Sequence, residues 1–358
     1  MKTIELKSYL EKERLDLSIF YNLSSLETSP NFFYFTGYEG LGALVTPKIK
    51  VPLLLAPKME FERAKKSKIK NIVLWDKKRL FETVKEVLKK NKINAKKIGI
   101  DYSTFTLEAF KGLKKTFKGA KFADIGNICR KLRLVKTKEE ILSIKKGCAV
   151  ADGIFKDAIR NFKNFKTESD VSSFLEYKIK KQGLDISFKP IVASGKNSSM
   201  PHYVPQNKPL QKGFCVIDFG VKYKGYCTDM TRTIYLGTPD KKEIQIYDLL
   251  LEIQKSAIAS VNPEVECGLI YSNVIKWLGK YSKYFIHGLG HGVGIEIHEA
   301  PNLKPESKDK LENNIPFTIE PGIYFPGKFG IRIEDTVVLI NGKIKVLTNS
   351  SKELAIIS

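Results

Sequence analysis

The chain has 358 residues, 42% hydrophobic and 28% charged, which is ordinary for a soluble globular protein and long enough for two separate cores. No run of about eighteen apolar residues occurs, and the N-terminus MKTIELKSYLEKERLD has no apolar h-region, so neither a membrane span nor a secretory leader is expected. The formal charge of +22 raises nucleic acid as a partner, but the densest basic runs, RAKKSKIK (63–70) and KKNKINAKK (89–97), are lysine-rich and lack interleaved arginine and aromatics, so they read as solvated faces and nucleic acid is not favoured.

Along the first 130 residues short apolar runs alternate with helical patterns. Leu41–Pro47 and Val51–Pro57 read as strands around a short lysine turn, and Asn71–Trp75 and Ile98–Ile100 as further strands. Between them Arg79–Lys92 reads as a helix with Leu80, Val84, Val87 and Leu88 as its apolar stripe. This predicts an α/β N-terminal domain over 1–130. A second domain, 131–358, is expected to open with a long helix. Thr137 and Glu140 have capping-box spacing, and Ile141, Ile144, Cys148, Ala151, Phe155, Ala158 and Phe162 follow in steps of three and four. Helices are also expected over 167–182, 243–260 and from Leu269 to about Tyr281, and strands over 214–223, 225–237, 316–325 and 330–340. The second half thus reads as α+β with antiparallel hairpins. The five cysteines, Cys129, Cys148, Cys215, Cys227 and Cys267, are odd in number and form no CxxC, which suits buried hydrophobes in a reducing, cytoplasmic compartment.

The strand-like segments of this half carry paired acids. With a turn at Tyr223-Lys224, Asp218 and Asp229 would lie directly opposed on one sheet face, where two carboxylates repel unless a cation lies between them. Glu320 and Glu334 flank the turn sequence PGKFG and should also meet across a hairpin. Four carboxylates facing one cavity call for two divalent metals. Three of the four histidines fall in IHGLGHGVGIEIHE (286–299), where glycine at every second position from 288 to 294 excludes a helix. The segment is read as extended backbone passing close to something, with His291 reaching a crowded centre and His287 and His298 elsewhere in the pocket. The fourth, His202, sits in the polar loop ASGKNSSMPHY (193–203).

The motifs GKNSSMPHY, VIDFGVKYKGYCTDMTRT, HGLGHGVGIEIHE, TIEPGIYFPG and GIRIEDT together resemble the pita-bread metallopeptidases, in the branch of Xaa-Pro dipeptidase (prolidase) and Xaa-Pro aminopeptidase. VKTKEEILSIKKGCAVAD and NFFYFTGYEGLGALVT extend the likeness over almost the whole chain. The resemblance implies a creatinase/prolidase-like N-terminal domain and a pita-bread catalytic domain. It implies two metal sites, with Asp218 on one ion, His291 and Glu320 on the other, and Asp229 and Glu334 bridging. One imidazole against four carboxylates suits Mn2+, with Co2+ or Zn2+ as alternatives. Carried over, Glu320 shuttles a proton to the leaving nitrogen. His202 and His298 hold the scissile carbonyl, the intermediate or the proline ring. His287, Tyr324 and Arg332 line the pocket or order the ligands, Arg332 contacting either a bridging carboxylate or the substrate. A proline-containing peptide is the implied substrate and a homodimer the implied assembly. Prolidase is preferred to an aminopeptidase acting on longer peptides. The competing readings are a methionine aminopeptidase, which the extra N-terminal domain and GKNSSMPHY argue against, and a non-catalytic peptide- or nucleic-acid-binding module, which the intact ligand set argues against.

Overall fold

A computed structural model of the chain describes residues 2–24, 28–76 and 78–358. It divides into two compact units, Met1–Arg133 and Leu134–Ser358. The first is built on a six-stranded mixed sheet of β1 (Leu17–Asn22), β2 (Gly42–Pro47), β3 (Leu53–Pro57), β4 (Ile72–Trp75), β5 (Lys97–Ile100) and β6 (Lys121–Asp124), ordered β4-β3-β2-β1-β5-β6. Helices α1 (Leu80–Lys90) and α2 (Leu107–Thr116) contribute Leu80, Phe81, Val84, Leu88 and Leu113 to one core against Leu17, Ile19, Val45, Leu55 and Ile98. Strand β1, central in this sheet, escaped the sequence reading. All six of its residues are buried, so no polar face alternates with an apolar one to reveal a strand.

The second unit opens with α3 (Lys138–Arg160), whose Thr137–Glu140 capping box forms as expected. It is followed by α4 (Glu168–Lys181), α5 (Lys241–Ala259) and α6 (Cys267–Leu278). Thr167 and Asp240 cap α4 and α5 in the same reciprocal way, so each helix start satisfies its first backbone donors locally. Strands β7 (Ile191–Ser194), β8 (Gly213–Phe219), β9 (Met230–Leu236), β10 (Gly290–Gly292), β11 (Glu299–Leu303), β12 (Pro316–Ile319), β13 (Gly322–Phe325), β14 (Phe329–Arg332), β15 (Asp335–Ile340), β16 (Lys343–Val346) and β17 (Ile356–Ile357) then form three sheets. Their orders are β17-β9-β8-β7, β11-β10-β12-β15-β16 and the hairpin β13-β14.

Two-residue alternation decides what each strand shows to each side. Cys215, Ile217 and Phe219 of β8, with Met230 and Ile234 of β9, pack on Ala151, Ile154 and Phe155 of α3 and Leu175 and Ile179 of α4. Phe317 and Ile319 of β12, with Val337 and Leu339 of β15, share a core with Tyr247, Leu250 and Ala257 of α5. Each Ile, Leu, Val, Phe or Met side chain among them contributes about 1.5–3 kcal/mol by leaving water, which locks the register. The intervening residues, among them Asp218, Thr231 and Thr318, consequently leave these helix-packed cores and meet one another.

Each long strand predicted from sequence is interrupted. The segment 214–223 breaks at Gly220, 316–325 at Glu320-Pro321, and 330–340 at Ile333-Glu334. A Cβ on Gly220 would lie 1.8 Å from the Thr228 carbonyl oxygen, so only glycine permits that approach. Among the described residues no helix is long and apolar enough to cross a membrane. All five cysteines are buried and free.

Candidate metal centre

The β8–β9 hairpin turns through Lys224-Gly225, both with positive φ (50° and 81°), which is the twist-matched conformation of a two-residue hairpin loop. The register therefore places Thr231, not Asp229, opposite Asp218, and corrects the expected direct pairing. The expected turn centre at Tyr223-Lys224 overlooked Gly225, the residue that makes the second positive φ inexpensive. The slip displaces the pairing by two residues, so Asp229 stays on the same face as a diagonal neighbour of Asp218. On the other ribbon Ile319 lies opposite Asp335 and Gly322 opposite Arg332, a register centred on Gly327 that sets Glu320 across from Glu334.

His291 arrives on β10, squeezed between β11 and β12. A Cβ on Gly290 would sit 2.0 Å from the Thr318 carbonyl oxygen, and one on Gly292 2.0 Å from that of Ala300. What the glycines approach is therefore neighbouring backbone. Bare backbone lets the strand seat His291 between two ribbons. His291 Nδ1 faces the Gly292 carbonyl at 3.1 Å, which can only accept, so that nitrogen carries the proton and Nε2 presents its lone pair. Nε2 lies 3.4 Å from Asp229 Oδ2 and 3.5 Å from Glu320 Oε1. Ligand atoms of Asp229, His291 and Glu334 all fall within 4.8 Å of one another.

This cluster is electrostatically incomplete. Burial pushes the carboxyls of Asp229 and Glu334 well above the usual range. The charges of Asp218 and Glu320 add to the effect on Asp229, and those of Asp229, Glu320 and Asp218 to that on Glu334. Burial raises Asp218 as well, opposed by Arg332, whose Nη2 donates to Asp218 Oδ2 at 2.6 Å. Asp218 Oδ1, Asp229 Oδ1 and Glu334 Oε1 are buried without any hydrogen-bond partner. Orphaned buried carboxylate oxygens beside an imidazole lone pair are what oxygen-preferring divalent ions require, and a buried charge without such compensation is costly. The residues present fit a divalent metal centre.

Family models agree with this geometry. Residues 143–341 match metallopeptidase family M24, and residues 5–135 match the creatinase/prolidase N-terminal domain. The chain belongs to metallopeptidase family M24. Among its relatives is a Pyrococcus furiosus Xaa-Pro dipeptidase, 37% identical over 330 residues that cover 90% of this chain and 92% of the relative. The solved structure of a Bacillus anthracis Xaa-Pro dipeptidase superimposes with a TM-score of 0.89 at 34% identity, covering 100% of this chain and 99% of that one. That of a Thermotoga maritima X-Pro aminopeptidase does so with a TM-score of 0.89 at 29% identity, covering 97% and 100%. The fold is thus the creatinase-type α/β domain followed by the M24 pita-bread domain, and M24 membership implies a dinuclear divalent metal site.

Around the M24 centre the remaining candidates separate into two groups. Arg332, Tyr324 and His287 form a buried chain. Arg332 Nη1 donates to Tyr324 Oη at 2.7 Å, and Tyr324 Oη lies 3.0 Å from His287 Nε2. His287 Nδ1 faces the Gly288 carbonyl at 2.7 Å, so its Nε2 accepts from the tyrosine hydroxyl. Burial lowers the His287 pKa, in keeping with a neutral ring, and pushes Tyr324 up to about 12. By contrast, His298 is exposed at the surface of the site and stacks edge-on against His291 at 4.3 Å; partial desolvation, followed by the neighbouring His291 ring, lowers its pKa. His202 is exposed, and its imidazole is among the groups that lower the pKa of both His287 and His298.

Two threonines absent from the sequence reading orient the ligands. Thr231 Oγ1 donates to Glu334 Oε2 at 2.6 Å and accepts from Arg332 Nε at 3.1 Å. Thr318 Oγ1 donates to Glu320 Oε1 at 3.2 Å and accepts from His291 N at 3.0 Å. Each lies two residues from an acid at the end of its strand, Asp229 just before β9 or Glu320 just after β12, and that same-face spacing was the available signal. On the outer side of Tyr324 a cavity of ≈ 430 Å³ opens, lined by Met200, Lys283, Tyr284, Ile286 and Pro326.

Proposed function

We propose that the chain hydrolyses the bond preceding proline in Xaa-Pro dipeptides, using two Mn2+ ions. The observation that carries this reading is the metal-sized cluster of Asp229, His291 and Glu334, together with the buried carboxylate oxygens of Asp218, Asp229 and Glu334 that have no hydrogen-bond partner. Likeness to the Xaa-Pro dipeptidases of Pyrococcus furiosus and Bacillus anthracis supports the dipeptide as substrate. Asp218 would hold one ion, His291 and Glu320 the other, and Asp229 and Glu334 both. Four carboxylates and one imidazole favour Mn2+ over a thiolate-seeking ion, with Co2+ or Zn2+ as the substitutes to test. When bound, such ions supply Lewis-acid activation of water and of the scissile carbonyl.

The chain's own groups do the rest. Glu320 takes up a proton from the attacking water and passes it to the departing proline nitrogen, a task suited to a carboxylate beside the reacting centre. Thr318 fixes the carboxylate's direction for that transfer. His298 and His202 hold the substrate carbonyl and the oxyanion it becomes. The Arg332–Tyr324–His287 chain orders Asp218 from behind. Arg332 is 3% exposed and already donates to Asp218, Thr231 and Tyr324, which favours ligand ordering over contact with substrate. A cytoplasmic homodimer completes the proposal.

The test is metal analysis together with hydrolysis of Ala-Pro and Ala-Pro-Ala. The proposal expects about two metal ions per chain and faster cleavage of Ala-Pro. Preference for Ala-Pro-Ala would instead make the protein an aminopeptidase like the Thermotoga maritima X-Pro aminopeptidase it also resembles. Absence of Mn, Co and Zn, with salt-sensitive DNA binding, would favour a binding module.

A further inference from the structure

The loop 195–203 that carries His202 is held from beneath by a carboxylate that belongs to none of the metal-binding strands. Glu168 lies in the first turn of α4 and is 0% exposed. Its Oε1 accepts from Ser194 N at 2.8 Å, Ser194 Oγ at 2.9 Å and Asn197 Nδ2 at 2.9 Å. Among the described residues it makes no ion pair, and its Oε2 is buried without a hydrogen-bond partner, so all of its donors converge on Oε1. Asn197 Nδ2 also lies 3.0 Å from Tyr203 Oη. Burial and then the adjacent Glu168 push the Tyr203 hydroxyl up to about 12. The carboxylate therefore holds the start of the loop directly, at Ser194 where the chain leaves β7, and its end through Asn197, which donates to Tyr203, the residue after His202.

The other side of the loop is tied to the β13–β14 hairpin. Gly330 N donates to Ser198 Oγ at 2.8 Å, and a Cβ on Gly330 would fall 2.1 Å from the Ser198 carbonyl oxygen. Arg332 Nη1 reaches the Pro201 carbonyl at 3.3 Å. Gly195 enters the loop with φ of +53°, and a Cβ there would meet Gln211 Cβ at 2.6 Å. The loop is thus tied on both sides, and Glu168 supplies three hydrogen bonds at its start, two to Ser194 and one to Asn197.

The geometry points to Glu168 as the positioning residue that clamps the 195–203 loop and so holds the exposed His202 in register with the metal centre. It acts through His202 and touches no ligand. The inference rests on the proposed use of His202 as a substrate contact, so its test includes a readout independent of activity.

The experiment compares Glu168→Ala, Glu168→Gln, His202→Ala and the Glu168→Ala/His202→Ala double variant as Mn2+-loaded full-length proteins. Amide exchange is measured alongside Ala-Pro kinetics and metal content. In Glu168→Ala, exchange across 194–203 should rise at least about tenfold while the rest of the second unit stays protected and the metal content holds. Its kcat/KM should fall about tenfold to a hundredfold, as expected when a contacting group loses its placement. Glu168→Gln keeps the Oε1 acceptor and should recover most of both. The double variant should be no slower than His202→Ala alone. Unchanged exchange in the loop, or losses that multiply in the double variant, would overturn the clamp. Faster exchange throughout the chain with loss of metal would overturn it too, as the mark of a general packing role. Full activity of His202→Ala would refute the role of His202 in the proposed function, and the exchange data would still decide whether Glu168 holds the loop.

Discussion

Glu334 and Asp335 are consecutive in the chain, 1% and 0% exposed, and meet opposite surroundings. Burial alone would raise the Asp335 carboxyl, but Arg232 and then Lys352 hold it below the ordinary carboxylate range. Asp335 Oδ1 accepts from Arg232 Nη2 at 2.7 Å and Thr348 Oγ1 at 2.8 Å, while Oδ2 accepts from Lys352 Nζ at 2.7 Å and Gln254 Nε2 at 2.9 Å. Every lone-pair direction has a donor. Glu334, one residue earlier, has a single hydroxyl donor on Oε2 and nothing on Oε1, and its neighbours are further acids. Equal burial thus gives a closed structural network on one side and an open, charge-deficient site on the other. A buried acid is structural or functional according to whether its partners complete it.

The sharpest way to break this contrast is to remove the charge from the open side. Asp229→Asn and Glu334→Gln should lower turnover at least about a thousandfold, some 4 kcal/mol of transition-state stabilisation, with metal lost and the circular dichroism spectrum kept. Full metal and full activity in Asp229→Asn would refute the bridging assignment. The same change on the closed side should do the reverse. Asp335→Asn strands the Arg232 and Lys352 charges and should cost about 3–5 kcal/mol in urea unfolding, while the folded fraction keeps its metal. An Asp335 variant that unfolds like the parent but cannot bind metal would erase the distinction drawn here.

Smaller effects refine it. His298→Ala should slow kcat about a hundredfold, within the range for a lost proton-transfer or oxyanion partner, at near-normal metal content; loss of metal would instead make His298 a ligand. Chelation should lower stability by about 2.7 kcal/mol relative to protein at a hundredfold excess of metal over Kd, read as a fall in Tm reversed by Mn2+, and an unchanged Tm would exclude a folded-state metal site. The least effect concerns pH. Because the folded pKa of Asp335 is depressed, its contribution is present above its unfolded value of about 3.9 and is lost as pH falls through the lower folded value. The stability gap between parent and Asp335→Asn should therefore be full at neutral pH and narrow in strong acid; a gap independent of pH would contradict the ion-pair account.

The features that could be read in advance were those settled by near neighbours. Thr137 and Glu140 announced the start of α3 because a capping box is closed within four consecutive residues and needs no tertiary partner. Glu320 could be set across from Glu334, and Asp218 and Asp229 on one face though not directly opposed, because hairpins bring residues together at predictable spacing. What eluded that reading needed facing strands. The contacts of Thr231 with Glu334 and Arg332, and of Thr318 with His291, each depend on a segment distant in sequence, whereas the turn at Lys224-Gly225 had a local signal in Gly225 that was passed over.

By itself the sequence determined the helix starts, the acidic hairpins, the glycine-spaced histidine strand and, through their combination, membership of a metallopeptidase family. Tertiary structure alone decided that Asp335, adjacent to the Glu334 already singled out in the sequence, is closed off by donors while Glu334 is not. That difference depends on where Arg232, Lys352 and Gln254 arrive from elsewhere in the chain, and electrostatic compensation acts across space regardless of sequence distance.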